Sequence, residues 1–349
     1  MIPLNKFKPV SKLRVAENII TKPKFPVIDA HNHLSPSMKI TTTPTEEELL
    51  ANMEEFNIRM VVNLDGNVGP EGEEQLKLSE KYPDKIVTFV KIDVSTLDEP
   101  DFKKQVDDRI DEYVRRGAGG IKFLKELGLN VKDSAGKYVK PCDSRLAPIW
   151  QAAERHDIPV LIHIGDPMAF FDPIDETNER YEELIKHPEW SFADPKFYRF
   201  DELVESGKNL LRNNPGTRFI FPHVGGIAED LARVGEMLDE FPNLYIDTSA
   251  RISELGRQPY TARKFIIKYQ DRVIYGTDAG IDASNIIPHY RFFETFDEYF
   301  PYHNSGWPER NQGRWHIYGI GLPDDVLRKV YFENACKVIP RLGKFYYGQ

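Results

Sequence analysis

Sulfur is scarce in this chain: its 349 residues include two cysteines, Cys142 and Cys336. Two are too few for a disulfide framework, and neither belongs to a C-x-x-C pair. Disulfide-rich secreted domains and cysteine-ligated metal sites are therefore excluded, and a reducing compartment, the cytoplasm, is the expected location. No run approaches about 18 apolar residues, so no membrane-spanning helix is expected. Residues 1–24 carry charges but no apolar h-region and do not read as a signal peptide. There is also no block of lysine and arginine. The 46 basic residues are scattered among 55 acidic ones, for a net charge of -9. Such a surface excludes nucleic acid and anionic membranes as partners. It leaves room for a small-molecule substrate, even an anionic one, held by a local cation. Internal repeats, low-complexity segments and linkers are absent as well.

Apolar content of 40% and charged content of 29% are ordinary for a globular protein. Eight short apolar runs can be traced: 26–30, 60–64, 86–92, 120–123, 159–164, 218–221, 244–246 and 272–275. Helical periodicity fills the gaps between them. Thr45-Glu46-Glu47-Glu48 reads as a capping box opening a helix with Leu49, Met53 and Phe56 on one face. Phe102, Val106, Ile110 and Tyr113 repeat that spacing, as do Leu146, Ile149, Trp150 and Ala153, and Leu231, Val234 and Leu238. Alternating strands and helices imply a parallel sheet. Eight units of each predict an α/β fold, a closed (β/α)8 TIM barrel spanning 26–349 as one domain behind an N-terminal extension, 1–25. A doubly wound open sheet is the alternative. Two long aromatic stretches, 165–200 and 281–322, follow strands 5 and 8. They are expected on the C-terminal face, as pocket walls or as a subunit contact.

The chemistry begins at Phe25-Pro26-Val27-Ile28-Asp29-Ala30-His31-Asn32-His33. Residues two apart in an extended chain point to the same side, so His31 and His33 can share one metal ion. Alone, H-x-H is a weak motif, equally at home as two solvated histidines. Three other strands end in the same currency, however. Strand 5 ends in His163, strand 6 in His223, and strand 8 leads through Gly276-Thr277 to Asp278. Each has a bland reading as a loop contact or a cap. Four together, brought to one mouth by parallel strands, predict a metal site. Asp29 reads as a support for the pair or as a residue of the mouth itself. Asp247, ending strand 7, is a candidate to bind substrate or orient His223, and equally a loop cap.

The chain resembles the amidohydrolase superfamily, in particular the branch typified by aminocarboxymuconate-semialdehyde decarboxylase. The resemblance runs from Val27 to about Leu342. It rests on I-D-A-H-N-H (28–33), L-I-H (161–163), F-P-H-V-G-G (221–226), Y-G-T-D (275–278) and F-E-N-A (332–335). It implies a metal-dependent enzyme with His31, His33, His163 and Asp278 as ligands, and His223 and Asp278 as catalytic groups. It further implies one divalent ion, zinc first and manganese or another divalent ion second. Lys122, near strand 4, is read as a substrate contact and not as a carboxylated bridge between two metals. Members of the branch are often dimers, so a homodimer is an expectation by analogy.

Three imidazoles and a carboxylate leave the ion enough positive charge to bring bound water to a pKa of about 7. The leading expectation is accordingly a hydrolase that directs this water at an ester, lactone or amide of a small cyclic or carboxylated substrate. The alternative is a non-oxidative decarboxylase, a carboxy-lyase of an unsaturated or aromatic acid. That reaction needs a cation for the substrate; Arg251, just past strand 7, is the best placed, whereas Lys125 and Arg145 read as solvated charges. A barrel that binds a ligand without turnover is the third reading.

Overall fold

Parallel strands covered on both sides need apolar residues at successive positions, and the eight apolar runs form such strands. They are β1 (Val27–Asn32), β2 (Ile58–Gly66), β3 (Ile86–Val90), β4 (Gly120–Phe123), β5 (Val160–Ile162), β6 (Phe219–Phe221), β7 (Leu244–Asp247) and β8 (Val273–Ile274). The structure, a computed structural model, describes residues 2–3, 6, 10–35, 45–302 and 312–347. The strands pair in parallel and in chain order, β1 through β8. Backbone bonds draw the seam between β8 and β1 together: Ala30 N–H donates to Tyr275 O at 3.0 Å, and Asp278 N–H to His31 O at 2.8 Å. Only glycine permits this approach at position 276, where a Cβ would lie 2.8 Å from that of His31. Sequential order and a bonded seam make this a barrel and set aside the doubly wound sheet.

Alternation sorts the strand side chains into two sets. Ile28, Ala30, Met60, Val62, Val87, Phe89, Leu161, Ile220 and Ile274 form the inner cluster. Val27, Val61, Ile86, Ile121, Val160, Phe219 and Val273 pack outward against the helices. Those helices use the expected faces. Thr45 caps the helix Glu46–Glu55 with a complete capping box. Phe102, Val106 and Ile110 are the buried residues of Phe102–Arg115. Leu231, Val234 and Leu238 are buried along Leu231–Glu240.

The N-terminal end of the barrel is sealed by the chain's last helices. Val338, Ile339 and Leu342 join the inner cluster. A Cβ on Gly119, just ahead of β4, would lie 3.5 Å from the Ile339 side chain. Asn334, from F-E-N-A, fixes this plug by donating from Nδ2 to Gln270 O and Val273 O, both at 2.7 Å.

The stretch after β5 carries only short turns, Met168–Phe171, Tyr181–Leu184 and Pro188–Trp190. The stretch after β8 differs from expectation. It begins with a regular helix, Ala283–Glu294, whose Tyr290 hydroxyl donates to Phe56 O at 2.7 Å. That helix is barrel wall, and only the chain beyond Glu294 is an excursion; Trp307 lies outside the described residues. Phe170, Phe171, Phe192, Tyr290, Phe292 and Phe293 are all buried, so these aromatics spend their area on packing. Residues 10–24 form no helix or strand; Asn18 holds them to Asp297 through its N–H at 2.6 Å and Nδ2 at 2.5 Å. Among the described residues no helix is long and apolar enough to cross a membrane.

Candidate metal centre

The C-terminal ends of β1, β5, β6 and β8 bring five of the expected residues together. His31 lies within β1, while His33, His163, His223 and Asp278 follow one to four residues after their strands. Ligand atoms of His31, His223 and Asp278 all lie within 4.8 Å of one another. His31 Nε2 is 3.5 Å and His33 Nε2 3.3 Å from Asp278 Oδ1. This trio includes His223, expected as catalytic, and leaves out His33 and His163, both expected as ligands. The His163 ring lies 4.5 Å from that of His223, centroid to centroid.

Three of these imidazoles are anchored alike. His31 Nδ1 bonds Asp247 Oδ2 at 2.8 Å, His33 Nδ1 bonds Asp65 Oδ1 at 2.5 Å, and His223 Nδ1 bonds Ser249 O at 2.9 Å. Each partner is an oxygen acceptor, so the proton belongs on Nδ1 and the lone pair on Nε2. That is the tautomer a metal ligand requires, and an oxygen at the second nitrogen is the usual support of such a histidine. Burial, against the pull of Asp247 and Asp278, keeps His31 below its ordinary range, and burial with Arg251 lowers His223 to about 3. Both are neutral donors. His33 behaves differently: burial would lower it, but Asp278 and Asp65 push it up to about 9. Burial would raise Asp278, yet His31, His33 and His223 hold it well below the carboxylate range. The site therefore calls for positive charge beside Asp278. His163 adds a further sign, since both of its ring nitrogens are buried without a hydrogen-bond partner among the described residues, a state that costs about 1–3 kcal/mol per group unless a partner is supplied. These features fit a divalent ion held by imidazole and carboxylate.

The backbone is bent to make this arrangement. His223 and Val224 have φ of 59° and 57°, and Gly225 and Gly226 continue at 72° and 73°. F-P-H-V-G-G is thus a left-handed turn, costly for a β-branched valine. Its glycine pair is explained: a Cβ on Gly226 would lie 2.7 Å from Ile164 O. Asp278 and Ala250 are also left-handed, at 57° and 51°. Strain of this kind collects where surrounding structure holds functional groups in place.

Asp247 supports the His223 backbone, one of the posts the sequence offered it, and also holds His31. It is fully buried; Oδ2 accepts from His31 Nδ1, and Oδ1 accepts from His223 N at 2.9 Å and Ser249 N at 3.1 Å. With both oxygens engaged, it orients His31 and the His223 backbone. Asp29 accepts from Thr277 N and Oγ1, His31 N and Asn32 Nδ2. It is therefore a brace and not a residue of the mouth. Lys122 points into the barrel, fully buried, and Nζ has no partner among the described residues. Burial pushes it down to about 8, against the pull of Asp278, Asp247 and Glu126. Arg251 is 6% exposed and bonds its own neighbour, Ala250 O, at 2.7 Å. Lys125 is not a solvated charge, because it pairs with buried Asp166 at 2.7 Å. Arg145 is spent on Asp98, Asp133 and Asp143.

Two residues of the site went unread in the sequence. Asp65 follows the apolar run 60–64 directly and lies near the end of β2. Asp166 lies three residues beyond His163, its Oδ1 3.6 Å from His163 Nε2. An acidic residue at the C-terminal end of a barrel strand was the available signal for Asp65.

Residues 28–341 match the amidohydrolase family model, and the chain belongs to that family. No curated protein matches the sequence. Among solved structures, the chain is similar to a 2,6-dihydroxybenzoate decarboxylase from Rhizobium (15% identity, 90% of this chain and 99% of that one, TM-score 0.54). It is similar to 4-oxalomesaconate hydratase from Rhodopseudomonas palustris (15% identity, 92% and 98%, TM-score 0.54). A third is 5-carboxyvanillate decarboxylase from Novosphingobium aromaticivorans, solved with manganese and 4-hydroxy-3-methoxy-5-nitrobenzoic acid (12% identity, 91% and 96%, TM-score 0.52). At these identities the likeness is one of fold.

Proposed function

We propose that the protein is a metal-dependent carboxy-lyase acting on an unsaturated or aromatic acid. The observation that carries this reading is the Lys122 ammonium, fully buried and without a hydrogen-bond partner among the described residues at the base of the site. A buried unpaired charge is expensive, and an anionic substrate group in the mouth repays it. Arg251 stands near enough to act electrostatically on both His223 and His163, and the similar decarboxylase structures agree with a carboxylate substrate.

His31, His33, His163 and Asp278 would hold one divalent ion, zinc or manganese, which when bound supplies Lewis-acid polarisation of a substrate oxygen. Lys122 and Arg251 bind and orient the carboxylate. In the reaction the bond from carbon to the carboxylate breaks, its electron pair stays on carbon, CO2 leaves and one proton is taken up. His223 handles that proton at Nε2, because Nδ1 is committed to Ser249 O. The compact trio of His31, His223 and Asp278 makes the role of His223 testable. His163→Ala should lower metal content, while His223→Ala should keep the metal and lose turnover; the opposite result would exchange their roles.

The hydrolase reading remains second. It is favoured by the three imidazoles presenting Nε2 and by Asp278, a set suited to activating water. A panel of lactones, amides and unsaturated or aromatic acids, followed by both pH and CO2 release, separates the two. CO2 from any acid supports the lyase, whereas turnover confined to lactones or amides defeats it.

A further inference from the structure

The segment that carries Arg251 is gripped from both sides. It follows β7 and runs into the short helix Ile252–Gly256. On one side the stretch after β5 inserts Arg180, 2% exposed. Its guanidinium donates from NH1 to Glu254 Oε1 at 2.9 Å and from Nε to Glu183 Oε2 at 2.6 Å. Glu254 is fully buried. On the other side the stretch after β8 supplies Gln312, whose Nε2 donates to Ala250 O at 3.0 Å, and Trp315, whose Nε1 donates to Ser253 O at 3.1 Å. The peptide before Arg251 is additionally tied to the metal-site loop, since Ala250 N donates to Thr277 O at 3.1 Å. At the edge, Arg257 grips Glu179 with both terminal nitrogens at 2.8 and 2.9 Å.

Burying two opposite charges gains little stability over apolar residues of similar size, because desolvation offsets their attraction. What such a pair adds is direction: a planar guanidinium fixes its carboxylate partners in angle as well as distance. Glu254 sits three residues past Arg251, one helical turn away, so fixing Glu254 fixes the start of that turn.

We propose that Arg180 and Glu254 are positioning residues that hold Arg251 where it meets the substrate carboxylate. The long stretch after β5 is then a brace for charge recognition. The proposal rests on the anionic-substrate reading above.

The test uses the metal-loaded full chain and two probes of like shape, benzoate and the uncharged benzamide. Wild type should bind benzoate at least tenfold more tightly than benzamide. Glu254→Gln should weaken benzoate about tenfold and leave benzamide within twofold, with metal content unchanged. A purely structural role would weaken both probes alike, and that result overturns the proposal. Should Glu254→Gln fail to fold, Arg180→Lys keeps the charge but loses the fork, and the same selective loss is expected of it. Arg251→Gln separates the two levels. If it abolishes the preference for benzoate while Glu254→Gln and Arg180→Lys do not touch it, the positioning role falls and the anionic-substrate reading stands. If Arg251→Gln changes nothing, the positioning role falls while the reading stands on Lys122; if wild type does not prefer benzoate, the reading falls and the positioning role with it.

Discussion

The two ends of this barrel are built on opposite principles. At the N-terminal end Val338, Ile339 and Leu342 close the interior with hydrocarbon, every one of them fully buried. At the C-terminal end, one strand length away, lie His31, His163, His223, Lys122, Asp247 and Asp278, nearly all of them buried too. The first end lowers the free energy of the fold by removing apolar area from water. The second raises it, through desolvated charges, unpartnered nitrogens and left-handed backbone at His223, Val224 and Asp278. The barrel tolerates a costly mouth because its other end is a plain core, and the two ends should fail differently when altered.

The sharpest break is expected at the mouth. Asp278→Asn removes the carboxylate that faces His31 and His33 while leaving its shape, and turnover should fall on the order of a thousandfold or more. Circular dichroism and melting should show a folded chain. Activity within tenfold of wild type would remove Asp278 from the chemistry. The opposite end gives the converse. Ile339→Ala opens a cavity in the plug and should cost about 2–5 kcal/mol of stability, with metal bound per folded chain unchanged. Loss of metal from the folded fraction would show that the two ends are coupled and do not divide stability from chemistry so cleanly.

A subtler test concerns support within the mouth. Asp65→Asn keeps an oxygen near His33 Nδ1 but removes the charge. Metal affinity should drop about 10- to 100-fold, the usual cost of losing such a partner. Competition with a chelator of known affinity measures it, and an unchanged constant would mean that Asp65 serves the fold alone.

The same contrast explains what could be read from sequence. The eight strands were legible because parallel barrel strands carry apolar residues on both faces, and 120–123 was placed to the residue. The histidines were legible because H-x-H, L-I-H and F-P-H sit at strand ends. Asp247 was found with its post left open between substrate and His223, since a position in sequence says nothing about which of several nearby donors will take each oxygen. Asp65 and Asp166 were missed because short acidic residues at or beyond strand ends also make ordinary turns. The aromatic stretches were illegible for a related reason: Phe170 and Phe292 read the same whether they line a pocket or pack inside, and only tertiary structure buries them. The helix Ala283–Glu294 was hidden by Pro288 within it, a residue that ordinarily ends a helix.

The smallest expected effect lies in that helix, away from the metal centre. His289 Nδ1 donates to Asn285 O at 2.7 Å, and Nε2 is buried without a partner. Burial lowers its pKa to about 4, and no carboxylate offsets this. Its nearest ring neighbour is Tyr275, 6.0 Å away between centroids. The folded state therefore keeps His289 neutral where the unfolded chain, at about 6.5, takes up a proton. Between those values the unfolded state binds more protons, so stability falls as pH drops from about 6.5 toward 4 and levels off below. The loss should be about 1 kcal/mol over the first pH unit. His289→Asn retains a donor for Asn285 O and cannot titrate. Its denaturation free energy, measured by urea at several pH values, should lack that part of the acid slope. Parallel curves for the two proteins would mean that the histidine is hydrated in solution and titrates as it does in the unfolded chain.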